Sequence, residues 1–256
     1  MWLDKILEFR KTSDTEATKP FLDHMEDLRW MLVRMAITTV IGMTLSFCFR
    51  VQLVQVMQRP LRLVDPKLLA GLRTLGVTDS FTISLQLAFY AGIVLTFPLL
   101  LFYLAQFVLP ALTMKEKKYV LPGIAAGSGL FVTGVLFSYF VVLPRAISFF
   151  FKDTLELDWT PGWTVRDYFS FVTQITLTLG LAFELPLVVL ALVYMRLLSF
   201  RLLNSTRSYA VIIILILAML LAPSPDILTF LSFGIPMCLL YEVCIWLAWL
   251  MERRRK

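Results

Sequence analysis

The stretch Arg207-SYAVIIILILAMLLAPSPDILTFLSFGIPMCLLYEVCIWLAWLME-Arg253 decides the class of fold. Forty-five residues separate its two arginines without another Lys or Arg, and only Asp226, Glu242 and Glu252 carry negative charge. A helix needs about 20 apolar residues to cross about 30 Å of hydrocarbon, so the stretch holds two crossings. Pro223-Ser224-Pro225-Asp226 cannot continue a helix and divides them. The reading is a span at Tyr209–Ala222 and a last span at Ile227–Leu250.

Working outward, four more apolar runs precede this pair: about residues 30–49, 85–108, 119–143 and 168–195. The whole chain agrees with them. Of 256 residues 59% are hydrophobic and 16% charged, with a mean hydropathy of +0.78, whereas soluble domains are nearer half apolar and a quarter charged. A soluble enzyme, a disordered segment and a nucleic-acid-binding module are excluded. The net charge of +6 does not point to nucleic acid, because Lys and Arg are scattered between apolar blocks.

Six spans place both termini on one side. With those termini inside, the inner segments carry 15 Lys and Arg against 8 outside, which favours cytoplasmic ends. The first outer loop, with Arg50, Arg59, Arg62, Lys67 and Arg73, runs against that bias. The expected domain plan is a polar tail at 1–20, one six-helix transmembrane domain at 21–250, and a basic tail at 251–256. No apolar segment with a small-residue cleavage site opens the chain, so no removable signal peptide is expected. Cys48, Cys238 and Cys244 sit in apolar runs and read as small hydrophobes. With a single histidine, no metal or other cofactor is expected, and no catalytic grouping is visible.

The fifth span has fourteen residues, about 21 Å of helix against about 30 Å of bilayer core. Local thinning or extension into the loops follows. Pro98, Pro144, Pro186 and Pro236 lie within or at the ends of other spans and predict kinks. No internal repeat of the kind common in secondary transporters is found.

Several positions stand out against this background. Phe21-Leu-Asp-His-Met-Glu-Asp-Leu-Arg29 reads first as an interfacial amphipathic helix, with His24 a packing or solvated residue. Glu116 stands among Lys115, Lys117 and Lys118 in an inner loop. Glu184 lies in mid-span, where a carboxylate costs about 2.5–3.5 kcal/mol, so it should face a polar interior. Ser170, Thr173, Gly180 and Glu184 share an arc of about 80° on one helix. Glu242 reads equally as a structural or a working acid, and Asp226 as the N-terminal cap of the last helix.

Taken in order, these pieces resemble the TatC family of twin-arginine protein translocase subunits. The resemblance rests on Asp23-His24-Met25-Glu26-Asp27-Leu28-Arg29, then Phe107, Pro110 and Glu116, then Gly134, Tyr139, Phe140 and Pro144. It continues through Phe183-Glu184-Leu185-Pro186, Arg207-Ser208-Tyr209, Pro225-Asp226, Ile235-Pro236 and Tyr241-Glu242, covering about residues 20–245. Each motif alone is weak; the ordered set on six spans is strong. Departures are Asp27 where the family usually has Glu, Met31 in place of a second basic residue, Tyr103 in place of a Gln, and a longer outer turn at 222–226.

The resemblance implies an all-α integral membrane protein, six transmembrane helices in a concave, Pro-kinked arrangement with both termini cytoplasmic. It implies a signal-peptide receptor and core subunit of the twin-arginine translocase in the cytoplasmic (inner) membrane, exporting folded preproteins on the proton gradient. Its partners would be twin-arginine signal peptides, TatA- and TatB-like single-span proteins, other copies of itself and the lipid bilayer. Asp27, with Glu26 beside it, and Glu116 then meet the paired arginines, with Arg29 and Phe107 in the same binding region. Glu184 becomes an intramembrane polar anchor, and Tyr139, Pro144, Pro186, Asp226 and Glu242 become structural or partner-contact positions. The rival function is a proton-coupled small-solute transporter.

Overall fold

The computed structural model describes residues 21–109, 117, 120–195, 197–221 and 226–253. The tail at 1–20, Glu116, the turn at 222–225 and the last three residues lie outside them. Eleven α-helices follow in order among the described residues: α1 (Phe21–Cys48), α2 (Arg50–Val64), α3 (Pro66–Gly71), α4 (Asp79–Val108) and α5 (Val120–Phe137). After a π-helical turn at Ser138–Val142 come α6 (Leu143–Glu156), α7 (Val165–Ala182), α8 (Leu185–Tyr194), α9 (Phe200–Ser205), α10 (Arg207–Leu221) and α11 (Ile227–Arg253). Among the described residues, five helical stretches are long and apolar enough to cross a membrane, and α10 is a shorter apolar helix beside them. The protein is a six-span, all-α membrane protein.

Helix bounds depart from the expected spans in instructive ways. The amphipathic lead-in and the first span are one helix of 28 residues. The third apolar run does not stop at residue 143. It continues through the π turn and Pro144 to Glu156. Proline is tolerated there because it occupies the first turn of α6, where its missing N–H has no helical partner to lose. The fourth run breaks at Phe183-Glu184 and restarts as α8 with Pro186 in its first turn. By contrast, Pro98 and Pro236 lie inside the unbroken helices α4 and α11.

The most extensive pairing joins α1 and α4. Its cause is visible at the crossing, where a Cβ on Gly92 would lie 2.5 Å from the backbone nitrogen of Met43. Within a membrane, helices associate through close packing and not through apolarity, so only glycine serves at such a crossing. The principal core surrounds α7, whose Val172, Ile175 and Leu179 are fully buried with Leu61, Leu87 and Leu143 from its neighbours. A smaller cluster of Val193, Leu203, Ile245 and Ala248 ties α8, α9 and α11 together.

The segments that link α1 to α4 and α6 to α7 are structured. Helix α2 contains Pro60, which deprives the Val56 carbonyl of its helical N–H partner. Tyr139 donates its hydroxyl to that carbonyl at 2.6 Å, and Tyr168 donates to the carbonyl of Met57 at 2.7 Å. Two side chains from the membrane bundle thus secure a kinked loop helix. Farther along, Arg73 donates its N–H to the Trp163 carbonyl at 3.2 Å and accepts from Val165 N–H at 3.0 Å, joining the segment after α3 to the start of α7. Asp65 and Thr164 cap α3 and α7 by accepting from Lys67 N–H at 2.8 Å and Asp167 N–H at 3.0 Å.

Candidate functional site

The beginning of α1 and the end of α4 form one corner of the molecule. There the imidazole of His24 stacks on the ring of Phe107, with centroids 4.3 Å apart and planes 15° apart. Residues three and four apart share a helix face, so this stack places Asp27 and Leu28 on the α4 side. Both are half-buried, whereas Glu26 and Arg29 are exposed. The corner therefore presents carboxylates at two depths, one beside an aromatic pair and one in the open. Glu116 belongs to the segment after α4 that lies outside the described residues. Lys117 is half-buried.

Glu184 occupies a different environment. It stands in the turn between α7 and α8, with both carboxylate oxygens buried and, among the described residues, without a hydrogen-bond partner within bonding geometry. Helix α5 makes room for it through Gly127, where a Cβ would lie 3.0 Å from Glu184 Oε2. Gly127 is seven residues into α5, about 10 Å from the start of that helix. Buried polar atoms without partners are rare in native folds, and each calls for an explanation. Of the polar arc expected on this span, Thr173 and Gly180 are buried. The turn at Phe183-Glu184 displaces the acid from a continuous helical stripe.

The remaining singled-out residues have structural partners. Arg207, at the start of α10, donates Nε–H to Glu242 Oε1 at 2.6 Å and forms an ion pair with the same carboxylate. Asp226 accepts the N–H of Thr229 at 2.7 Å and so caps α11. Tyr139 and Tyr168 hold α2, while Pro144 and Pro186 begin helices after local breaks. Sequence reasoning missed the His24–Phe107 stack, since neither ring alone indicates a partner 83 positions away. It also missed Tyr168 and the Arg207–Glu242 pair. Among the described residues, no group of three or more His, Cys, Asp or Glu is placed to hold a metal ion.

Comparison with known proteins gives a uniform result. The family model described as Sec-independent protein translocase protein (TatC) matches residues 23–236. A protein of Akkermansia muciniphila with the same description is 44% identical over 69% of this chain, which spans about half (51%) of that relative's length. Similar proteins from Desulforapulum autotrophicum and Aquifex aeolicus are 33% and 31% identical. Those alignments cover 91% and 93% of this chain, and 85% and 98% of the relatives. Among solved structures, a crystal structure of the twin arginine translocase receptor TatC aligns with a TM-score of 0.77 and 31% identity, covering 89% of this chain and 98% of its own.

Proposed function

The chain belongs to the TatC family of Sec-independent protein translocase proteins, and on that premise we propose that it is the signal-peptide receptor and core subunit of a twin-arginine translocase. The observation that carries the reading is the stacked His24–Phe107 pair. It sets Asp27 on the α4 side, with Glu26 exposed beside it, near the end of α4 from which the segment bearing Glu116 departs. Small-solute transport, the rival function, is displaced by the family membership.

Guanidinium groups are permanently charged, planar and matched in shape to carboxylates, so paired acids discriminate Arg-Arg from Lys-Lys. Hydrogen bonds to charged groups contribute about 1.5–3 kcal/mol each, or about 3–6 for two. Micromolar binding needs about 8 kcal/mol. The acids therefore supply selectivity, and the apolar segment of the signal peptide supplies much of the remaining affinity. Arg29 and Phe107 shape the same corner. Binding at this corner requires a cytoplasmic N-terminus and residence in the cytoplasmic membrane. The translocase would further comprise TatA- and TatB-like single-span proteins and additional copies of this chain, driven by the proton gradient.

The decisive experiment places photocrosslinkers at Asp27, Phe107 and Glu116 and presents signal peptides bearing Arg-Arg or Lys-Lys. Capture of the first and not the second is expected; equal capture of both would falsify the proposal. Glu116→Ala is expected to abolish export while leaving membrane insertion intact, read by cargo fractionation and by the amount of membrane-embedded protein.

Glu184 serves as a polar anchor for a partner helix. Its buried oxygens have no hydrogen-bond partner among the described residues and can accept from a donor on that helix, and the fifteen-residue α10 is short enough to call for a thinner bilayer. Glu184→Leu is expected to lower transport and co-purification of a single-span partner together, with the chain still folded. Normal transport with normal partner recovery would reduce Glu184 to a packing residue.

A further inference from the structure

Away from the motif corner, α1, α2, α4, α5 and α7 leave a recess of about 370 Å³ between them. Its floor includes the buried Leu87, Thr173 and Thr176, and its rim the exposed Phe49 and Leu95. That volume lies in the range of about 300–1,000 Å³ that receives small molecules.

The recess is less polar than its threonines suggest. Thr173 Oγ1 donates to the Phe169 carbonyl at 2.7 Å and accepts from Gln86 Nε2 at 2.9 Å. Thr176 Oγ1 donates to the Val172 carbonyl at 2.8 Å. With these hydroxyls turned to the protein, the wall is almost wholly apolar, made of aliphatic side chains, Met57 and the rings of Phe49 and Tyr90, with Ser46 as its remaining small polar residue. Water or a polar solute needs several polar partners and is poorly served there.

Apolar contact alone selects nothing inside a bilayer, because lipid tails are as apolar as the wall. Selection must come from the mouth. Arg50 follows Phe49 directly and carries its guanidinium 5.2 Å from the ring centre of Phe47. It is exposed and forms no ion pair among the described residues. With Gln55 and Ser84 it lines a second niche, and Ser84 lies one helical turn from Leu87 on the recess floor. The two acids of this outer loop are turned to backbone: Asp65 accepts from Lys67 N–H and Asp79 from Gly76 N–H. Arg50 is left with an uncompensated charge at the end of an apolar cleft.

We propose that this cleft binds one anionic phospholipid of the adjoining leaflet, with an acyl chain in the recess and the phosphate on Arg50. The lipid wedges between α1 and α7, filling space that the helices leave open, and Arg50 makes the site selective for headgroups with net negative charge.

The test uses the full chain in phosphatidylcholine nanodiscs doped with diazirine-tailed phosphatidylglycerol or diazirine-tailed phosphatidylcholine, with adducts mapped by peptide mass spectrometry. Labelling around Phe49, Tyr90 and Leu95 is expected to be about five-fold stronger with phosphatidylglycerol. Arg50→Gln should bring the two lipids level, and Arg50→Lys should retain the preference. Equal labelling by both lipids in the unaltered chain overturns the proposal, as does a preference that survives Arg50→Gln. A photoreactive residue at Leu95 that captures peptide and no lipid would assign the recess to a protein segment and overturn it equally.

Discussion

Helices α7 and α10 are both rich in apolar residues, yet they occupy opposite situations. α7 buries nine residues, from Tyr168 to Ala182. α10 buries two, Ile214 and Ala218, and leaves Ile212, Ile213, Ile216, Met219 and Leu220 bare. The buried helix is the more polar of the two, with Ser170, Thr173, Gln174, Thr176 and Thr178 along its length. Beyond Tyr209, α10 has no polar side chain at all. In water, apolarity marks the inside. In lipid that rule fails, and small or hydrogen-bonding residues mark the protein interior while unrelieved Ile and Leu mark its lipid face.

The contrast can be broken by substitution, most forcefully on α7. Leu179→Ala should cost about 2–5 kcal/mol through the cavity it opens, read as a lower unfolding midpoint in detergent; a shift as small as that of an α10 variant would erase the distinction. Tyr168→Phe removes the donor to the Met57 carbonyl and should cost about 0.5–1.5 kcal/mol, with faster proteolysis of α2 as its local signature. Ile216→Ala on α10 should stay within about 0.5 kcal/mol. A larger loss there would mean that the bare face of α10 packs against protein.

Much of the fold was legible because hydropathy reports directly on the solvent that a segment meets. The six runs, the break at residues 223–226 and the shortness of the fifth span all follow from composition. Helix ends were less legible. Pro144 suggested a boundary, but the π turn and first-turn placement of that proline carry the helix thirteen residues past the expected end at 143. Helix α2 was hidden because its segment was read only as a basic loop between spans, and the tyrosines that secure it around Pro60 are distant in sequence. At the candidate site the acids announced themselves by charge. Their arrangement did not, since the His24–Phe107 stack and the Arg207–Glu242 pair come from tertiary structure alone.

The two tyrosine bonds to α2 have one further consequence. Neither joins opposite charges, so dissolved ions cannot screen them as they would a surface ion pair. The attachment of α2 to the bundle should therefore be indifferent to ionic strength, holding in fresh and brackish surroundings alike.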